Sequence, residues 1–270
     1  MAAASLGAAI AAASSDKRRM IERHLRRVHG GAVDDATLRR EARLAFASYG
    51  RYWLESFRLP DTSPGELAAT MSSEGVEHLD HALAAGRGVI IALPHLGGWD
   101  YGGAWLASLG HAVTVVVEPV EPPELFEWFA ALRRSLGLTV VALGPEAGTA
   151  VLRALKTNQV IGLVCDRDLT GTGVDVEFFG EHTTLPSGPA TLALRSGAAI
   201  LPTAVYFEGR RGHRAVVRPP LSLERTGAFR DDATRITQAL AHELEVLIRR
   251  APDQWHLLQP NWPSDRPGST

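Results

Sequence analysis

A histidine and an aspartate lie five positions apart in the segment HLGGWD, which runs from His95 to Asp100. Imidazole is the common general base at neutral pH, and a carboxylate bonded to one ring nitrogen leaves the other free to accept a proton. Gly97 and Gly98 allow the tight turn that brings the two side chains together. The motif therefore predicts a His95–Asp100 dyad, with backbone N–H groups of the turn as oxyanion donors. The alternative is a structural turn histidine beside an aspartate favoured by a helix N-terminus.

Other ionisable residues follow predicted strands. Glu118 follows an apolar run at 112–117, and the cluster Asp166, Arg167 and Asp168 follows a second run at 160–165. The carboxyl ends of parallel strands meet at one edge of a sheet, where ligands of such folds bind. Because carboxylates accept hydrogen bonds from sugar hydroxyls, Glu118 and Asp168 are predicted to contact a sugar. A salt bridge to Arg133 or Arg167 is the alternative.

Candidate groups for binding phosphate and a fatty chain lie between these strand ends. Arg133 and Arg134 suit a phosphate, although two arginines in the last turn of a helix also stabilise its dipole. Thr183, Thr184 and Gly188 precede a short helix and either bind a phosphate or cap that helix. Aromatic residues at helical spacing either line an acyl tunnel or belong to the core; they are Trp53, Phe57, Trp99, Trp105, Phe126, Trp128 and Phe129.

The elements that must position these residues alternate between short apolar runs and amphipathic segments. This alternation predicts an α/β fold: a mostly parallel central sheet covered by helices on both faces, with N-terminal helices. The predicted strands are 88–93, 112–117, 138–143, 160–165, 199–207 and 213–218. The predicted helices are 15–30, 35–56, 99–109, 122–137, one ending near 156, 188–195 and 231–250.

The domain organisation is predicted from the ends of the chain. Residues 1–16 form a flexible Ala-rich leader, 17–262 form one domain, and 263–270 form a disordered tail. The helix at 15–30 is basic and amphipathic, with Lys17, Arg18 and Arg19 near its start. Such a helix binds an anionic membrane or, alternatively, simply packs on the domain with a solvated outer face.

Composition narrows the classes of function. The formal net charge of -2 over 270 residues gives no global field for nucleic acid. Cys165 is the only cysteine, which rules out an internal disulfide or a cysteine zinc cluster. The sequence has no run of 18 or more apolar residues, so membrane contact is predicted to be peripheral.

Several segments resemble one family of lipid-modifying enzymes. HLGGWD resembles the H-x4-D motif of the glycerolipid acyltransferase superfamily, and the block from Asp166 to Pro202 (DRDLTG…FFGE…LPSGPATLALRSGAAILP) resembles its lipid A lauroyl/myristoyl branch. RYWLESFRLP, the Glu118–Pro119 strand end and ELFEWFAALRRSLGLTVVAL are most similar to actinobacterial phosphatidylinositol mannoside acyltransferases. The resemblance extends over residues 17–262.

The resemblance implies transfer of a fatty acyl group from acyl-CoA to a mannose hydroxyl of a phosphatidylinositol mannoside. His95 would be the base and Asp100 its partner, and the acceptor and polar cleft would involve Glu118, Arg133, Asp166, Arg167 and Asp168. Acyl-CoA would be a co-substrate, with no resident cofactor, metal or nucleic acid. The expected location is the cytoplasmic face of the cell membrane, bound peripherally to an anionic surface.

Other functions remain open from the residues alone. Cys165 with His95 would make a hydrolase, and His95, Asp100, Glu118 and Asp166 are ligand types found in metal-dependent hydrolases. A related acyltransferase acting on another glycolipid or lysophospholipid and a non-catalytic lipid-binding protein are further alternatives. Gly171–Gly173 lies in a loop without the helix that a dinucleotide-binding motif requires.

Overall fold

The computed structural model describes residues 15–266, so the predicted leader lies almost wholly outside the described residues, as do residues 267–270. The longer helices are α1 Ser15–Val28, α2 Asp35–Arg58, α3 Pro64–Thr70, α4 Val76–Ala84, α5 Trp99–Ser108, α6 Pro123–Ser135, α7 Ala147–Lys156, α8 Gly188–Ser196 and α9 Phe229–Arg250. The strands are β1 Met71–Glu74, β2 Val89–Leu93, β3 Val113–Val117, β4 Leu138–Ala142, β5 Val160–Val164, β6 Val174–Phe178, β7 Glu181–Leu185, β8 Ala199–Glu208 and β9 Gly212–Val217.

Seven strands form the central sheet in the order β1-β9-β8-β2-β5-β3-β4. The strands from β8 to β4 are parallel, whereas β9 is antiparallel to β8 and carries β1 parallel to itself. The middle strand β2 is buried along its whole length, as expected for a parallel strand covered on both faces. The predicted α/β class with a mostly parallel sheet is confirmed.

The two faces of the sheet are covered differently. On one face, α7, α8 and α9 and the β6–β7 hairpin enclose a large core that includes Ile90, Ile161 and Ile200. On the other face, α4 and α5 cover a smaller cluster that includes Ile91 and Leu201. Alternate residues of one strand therefore serve different cores, and the thinner α5 face contains the cavity described below.

Three elements have no counterpart in the sequence predictions: α3, α4 and the edge strand β1. The sequence of β1, MSSE, is polar and mostly exposed, and its parallel pairing with β9 is made by the backbone. The antiparallel hairpin β6–β7 is also absent from those predictions, although Val176 and Phe178 alternate inward with exposed Asp175 and Glu177. These elements depend on neighbours supplied by distant parts of the chain.

The basic helix α1 packs on the domain through Ile21, His24, Leu25 and Val28. Arg27 of this helix is mostly buried and contacts Glu181 at 2.6 Å and Asp265 at 2.8 Å. Asp265 belongs to a short 3-10 helix, Pro263–Asp265, at the start of the segment that was predicted as a tail. Arg18 and Arg19 remain exposed on the outer face of α1.

Candidate active site

The site begins where β2 and β5 end side by side. The register pairs Leu93 of β2 with Val164 of β5, so His95 and Asp166 each follow two residues beyond a paired position. His95 Nδ1 lies 2.6 Å from Asp166 Oδ1, and the backbone N–H of His95 donates to Asp166 Oδ2 at 3.0 Å. The strand register thus places a carboxylate on one nitrogen of the imidazole.

Asp166 is fully buried and held by neutral donors as well as by His95. The Trp255 indole N–H donates to Asp166 Oδ2 at 2.7 Å, and the Asn261 side-chain amide donates to the Asp166 carbonyl at 3.0 Å. Burial alone would raise the pKa of Asp166, but the charge and hydrogen bond of His95, with the Trp255 bond, hold it below its usual value. The carboxylate therefore stays ionised beside the imidazole.

Asp100 does not contact His95, contrary to the dyad predicted from the sequence, and is instead hydrogen-bonded to Arg133 and Tyr52. Arg133 Nε and Nη2 donate to the two Asp100 oxygens at 2.9 Å each, and the Tyr52 hydroxyl donates at 2.7 Å. Within residues 15–266, no hydrogen bond joins Asp100 to His95. Asp100 lies in the first turn of α5, where its side chain turns toward α2 and α6 instead of the His95 ring. The carboxylate on His95 is Asp166, which the sequence predicts only as a substrate-binding residue.

The Arg133–Asp100–Tyr52 cluster is an ion pair with one neutral donor. Burial disfavours the charge of Arg133, yet Asp100 raises the pKa of Arg133 above its ordinary value. Burial, with the nearby charge of Asp100, raises the pKa of Tyr52 well above 10.0. Tyr52 also stacks on Trp99 with ring centroids 4.0 Å apart. This network ties α2, α5 and α6 together next to the His95 turn.

A segment near the C-terminus fixes the turn that carries His95. Leu96 forms an antiparallel bridge with Trp255, the His256 N–H donates to the His95 carbonyl at 2.7 Å, and the Gly97 N–H donates to the Gln254 carbonyl at 2.9 Å. The Gly98 N–H donates to the Val205 carbonyl at 2.8 Å. Both glycine N–H groups are thus occupied, and the prediction that they are oxyanion donors is wrong.

Glycine is required at position 97 by the same contacts. Gly97 has φ +60°, and a Cβ there would lie 2.1 Å from the Val205 carbonyl oxygen. At Gly98, an added Cβ would lie 3.1 Å from a ring carbon of His213. The two glycines therefore let the His95 turn pack closely against β8 and β9, whereas the sequence predicted that they bring Asp100 to His95.

His256 is a second histidine next to His95 that the sequence analysis did not identify. Its Nε2 lies 2.8 Å from the Ser48 hydroxyl, and its buried Nδ1 has no hydrogen-bond partner among the described residues. Burial, with the nearby His95, lowers the pKa of His256 to about 3. His256 is therefore neutral at physiological pH. No periodic pattern in its segment marks it in the sequence.

Glu118 and Arg167 meet at the mouth of the site. The Arg167 guanidinium donates to Glu118 Oε2 at 2.8 Å, so the salt bridge that was the alternative for Glu118 is formed. Glu118 is still 46% exposed, and both side chains line the cavity. Arg134, the other arginine considered for phosphate binding, forms a salt bridge with Glu127 on the surface.

Asp168 and Thr184 are bonded to each other and brace a loop. Asp168 accepts hydrogen bonds from the backbone N–H groups of Thr170, Gly171 and Gly173 and from the Thr184 hydroxyl at 2.9 Å. These bonds outweigh burial and lower the pKa of Asp168. In the described chain neither side chain lines the cavity, so their predicted contact with substrate has no counterpart there.

An apolar cavity of about 350 Å³ opens beside His95 and extends along the α5 face of the sheet. Its walls include Leu93, Ile91 and Val115 from the strands and Leu106 from α5. Five of the aromatic residues predicted for an acyl tunnel line it: Trp53, Trp99, Trp105, Phe126 and Phe129. The other two, Phe57 and Trp128, are about half exposed, and their ring centroids lie 5.6 Å apart.

One strand residue leaves room in the middle of this cavity. Gly162 of β5 lies in register between Ile91 of β2 and Val115 of β3, and all three line the cavity. A Cβ at position 162 would lie 3.2 Å from Val115 Cγ1. A glycine inside a strand often marks a close approach by a ligand. A larger side chain at position 162 would therefore crowd Val115 at the cavity wall.

The alternative chemistries find little support in the geometry. Cys165 is buried, and burial raises the pKa of its thiol, which is unfavourable for a nucleophile. Among residues 15–266, no group of three or more His, Cys, Asp or Glu side chains is arranged to hold a metal ion. A histidine–carboxylate pair at the edge of an α/β sheet, next to an elongated apolar cavity, is suited to an enzyme that handles fatty acyl groups.

Comparison with known proteins agrees with that class. The family model for bacterial lipid A biosynthesis acyltransferases matches residues 1–264. The chain belongs to this family and is an acyltransferase.

Individual relatives include two mycobacterial enzymes. The phosphatidylinositol mannoside acyltransferase of Mycobacterium tuberculosis is 45% identical over 223 residues, covering 81% of this chain and 69% of the relative. The protein of that name from Mycolicibacterium smegmatis is 43% identical over 226 residues, covering 83% and 72%. The lipid A biosynthesis acyltransferase of Haemophilus influenzae is 24% identical over 185 residues, covering 67% and 55%.

Proposed function

We propose that this chain transfers a fatty acyl group from acyl-CoA to a mannose hydroxyl of a phosphatidylinositol mannoside. The observation that carries the proposal is the short His95–Asp166 contact beside an apolar cavity. Similarity to enzymes named for that acceptor supports the choice of substrate. In this scheme His95 is the general base, Asp166 orients it, and Asp100 holds Arg133 at the cavity wall.

His95 would act through the ring nitrogen that Asp166 does not bind. The side chain is 30% exposed, and its Nε2 has no hydrogen bond to any residue between 15 and 266. As the acceptor oxygen attacks the thioester carbonyl, its proton passes to Nε2; the C–S bond then breaks, and the leaving sulfur takes the proton back. The ester forms, free CoA leaves, and the neutral imidazole is restored. A base placed in this way contributes about 10²–10⁴ in rate.

The apolar cavity would hold the fatty chain of the donor. A chain attached to a thioester at His95 would pass Leu93 first and then the row of Ile91, Gly162 and Val115. Successive rows on one face of a strand lie about 7 Å apart, so this row is well inside the cavity. Burying the methylene groups stabilises the bound donor by about 0.8 kcal/mol each.

The polar mouth would receive the sugar of the acceptor. Glu118 is exposed enough to accept hydrogen bonds from vicinal hydroxyls, and Arg167 beside it supplies positive charge. Phe57 and Trp128 expose large apolar surfaces on α2 and α6 near the cavity walls. Among residues 15–266 no helix is long and apolar enough to span a bilayer. We propose that the enzyme lies on the cytoplasmic face of the membrane, with the basic face of α1 near anionic lipids.

The proposal is tested by incubating purified protein with palmitoyl-CoA and phosphatidylinositol mannosides and analysing the lipids by mass spectrometry. The acceptor should gain one acyl group, with release of an equal amount of CoA. His95→Ala should remove the product because no other base replaces the imidazole. Acylation of a lysophospholipid in preference to the mannoside would contradict the proposed acceptor, and CoA release without acylated lipid would contradict transfer.

A second arm tests where the donor chain lies. Gly162→Val should lower kcat/KM for palmitoyl-CoA by about tenfold, because a side chain at this row occludes the inner cavity and costs a few methylene contacts. Turnover of a four-carbon acyl-CoA should be unchanged. Gly148→Val, at an exposed position of α7 where an added Cβ meets nothing within 4 Å, is the matched control. Equal losses with short and long donors would contradict this placement.

A further inference from the structure

Trp255 is buried next to the His95–Asp166 pair, although it lies far from both residues in the sequence. Its ring is 3% exposed and packs between His24 and Phe179, with centroid distances of 5.6 Å to each. The indole N–H is the only polar group of this side chain, and it donates to Asp166 Oδ2 at 2.7 Å. A large apolar body thus fixes the position of a single hydrogen-bond donor.

The hydrogen bonds of Asp166 divide between its two oxygens. Oδ1 faces His95 Nδ1 at 2.6 Å, whereas Oδ2 accepts from the His95 backbone N–H and from Trp255. Rotation of the carboxylate would break the Oδ2 bonds, so those two donors set the direction of Oδ1. Both donors are neutral, which leaves the full negative charge to act on the imidazole.

We infer that Trp255 is a positioning residue for acyl transfer. Its indole N–H holds Asp166 so that Oδ1 keeps the proton on His95 Nδ1 and leaves Nε2 free toward the cavity. Two backbone hydrogen bonds fix the turn that carries the imidazole: the His256 N–H donates to the His95 carbonyl, and the Gly97 N–H donates to the Gln254 carbonyl. This inference rests on the proposed function, since it concerns the same base.

Trp255→Phe tests the inference because it keeps an aromatic ring and removes the N–H. Because the variant loses a hydrogen bond to a charged carboxylate, kcat should fall about tenfold or more. The KM for acyl-CoA should stay the same, because Trp255 does not line the cavity formed by the described residues. With one donor fewer, the carboxylate attracts the imidazole proton more strongly, so the acidic limb of the pH–kcat profile should move to higher pH.

Trp262→Phe is the matched control. Trp262 is 1% exposed, its indole N–H donates to the Phe178 carbonyl at 3.1 Å, and its ring lies 6.4 Å from that of Trp255. This variant loses the same type of group in the same aromatic cluster without touching the Asp166 carboxylate. It should lower thermal stability to a similar extent while leaving kcat and its pH profile unchanged.

The inference is overturned if Trp255→Phe keeps wild-type kcat, or if both tryptophan variants have the same acidic limb as wild type. An inactive wild-type protein would instead contradict the proposed function. If Trp255→Phe fails to fold, NMR of ¹⁵N-tryptophan-labelled protein gives a separate test. The indole proton resonance of Trp255 should move upfield in Asp166→Asn while that of Trp262 stays in place. A Trp255 resonance that does not respond would also overturn the inference.

Discussion

Asp166 and Asp100 are both buried carboxylates near His95, but their partners differ in charge. Asp166 is held by a neutral indole, a backbone N–H and the imidazole itself. Asp100 is held by the permanent cation of Arg133 and by the Tyr52 hydroxyl. The charge of Asp100 is therefore already balanced, whereas that of Asp166 is available to the proton that arrives on His95.

Under the proposed function, this difference separates a carboxylate that responds to catalysis from one that holds the structure. An ion pair inside a protein is costly to break, because the remaining charge has no compensation. A carboxylate bonded by neutral donors keeps its charge and stabilises a neighbouring imidazolium as it forms. The sequence motif contains Asp100, whereas Asp166 lies two residues beyond a different strand, β5.

The largest expected effect is on turnover in Asp166→Asn. The amide cannot stabilise the imidazolium and donates toward Nδ1, so kcat should fall about 10³- to 10⁴-fold. Asp100→Asn should cost at least about tenfold less, because its effect on His95 is indirect. Steady-state kinetics at saturating acyl-CoA measure both.

Circular dichroism and thermal unfolding of the two variants serve as the control for folding. Greater loss of kcat in Asp100→Asn than in Asp166→Asn, with both proteins folded, would reverse the roles of the two carboxylates. It would also restore the dyad predicted from the HLGGWD motif.

The second effect is on stability in Asp100→Ala. Removing the carboxylate leaves the buried Arg133 without its partner, and the free energy of unfolding should fall by about 3–5 kcal/mol. The double variant Asp100→Leu/Arg133→Met, which replaces both charges, should recover part of that loss. Urea denaturation measures each value. A double variant no more stable than Asp100→Ala would contradict the ion-pair account.

A smaller effect is expected on the pH dependence of the free energy of unfolding. It arises from His256, a neutral histidine near Asp166. The pKa of His256 is lowered from 6.5 to about 3 in the folded protein, so the unfolded chain binds more protons below pH 6.5. The free energy of unfolding should therefore fall as pH decreases through this window, by up to about 1.4 kcal/mol per unit. His24, with its pKa lowered to about 4, acts in the same direction.

Urea denaturation between pH 7 and pH 5 tests this expectation. His256→Gln should reduce the slope of unfolding free energy against pH, since the amide does not titrate. His81→Gln, which removes an exposed histidine of α4, is the matched control. A slope that His256→Gln leaves unchanged would show that His256 does not protonate on unfolding.

The smallest expected effect is that of Cys165→Ser, one residue before Asp166. The thiol is buried and its Sγ lies 3.6 Å from the Leu93 carbonyl, a contact that a hydroxyl can also make. Turnover should stay within about twofold of wild type, since the thiol takes no part in proton transfer. Loss of activity in a folded variant would revive the cysteine hydrolase.

The sequence predicted the fold better than the contacts inside the site. Buried strands such as Val89–Leu93 and Val160–Val164 stand out in the sequence as short apolar runs. The sequence also predicted that His95 and Asp166 lie at the same edge of the sheet, because each follows the carboxyl end of a parallel strand. The polar strand Met71–Glu74 could not be predicted in this way, because its pairing with β9 depends on backbone groups from a distant part of the chain.

The partner of His95 required knowledge that a single sequence does not contain. Spacing within HLGGWD favoured Asp100, whereas the register of two strands decides that Asp166, 71 positions away, meets the ring. Trp255 and His256 have no local sequence pattern, and long-range contacts bring them to the site: their segment pairs with the His95 turn, and Trp255 also donates to Asp166. The local motif thus pointed to His95, whereas long-range pairing decides which residues contact its ring.

The pairing of residues 254–256 with residues 95–97 has a consequence for how activity arises during synthesis. A growing chain that has reached position 251 already contains the strands of the sheet, His95 and Asp166. It still lacks residues 254–256, which pair with the turn that carries His95. Contacts between segments so distant in sequence form slowly, because a long loop must close first. Competence should therefore appear only after residues 254–256 have left the ribosome.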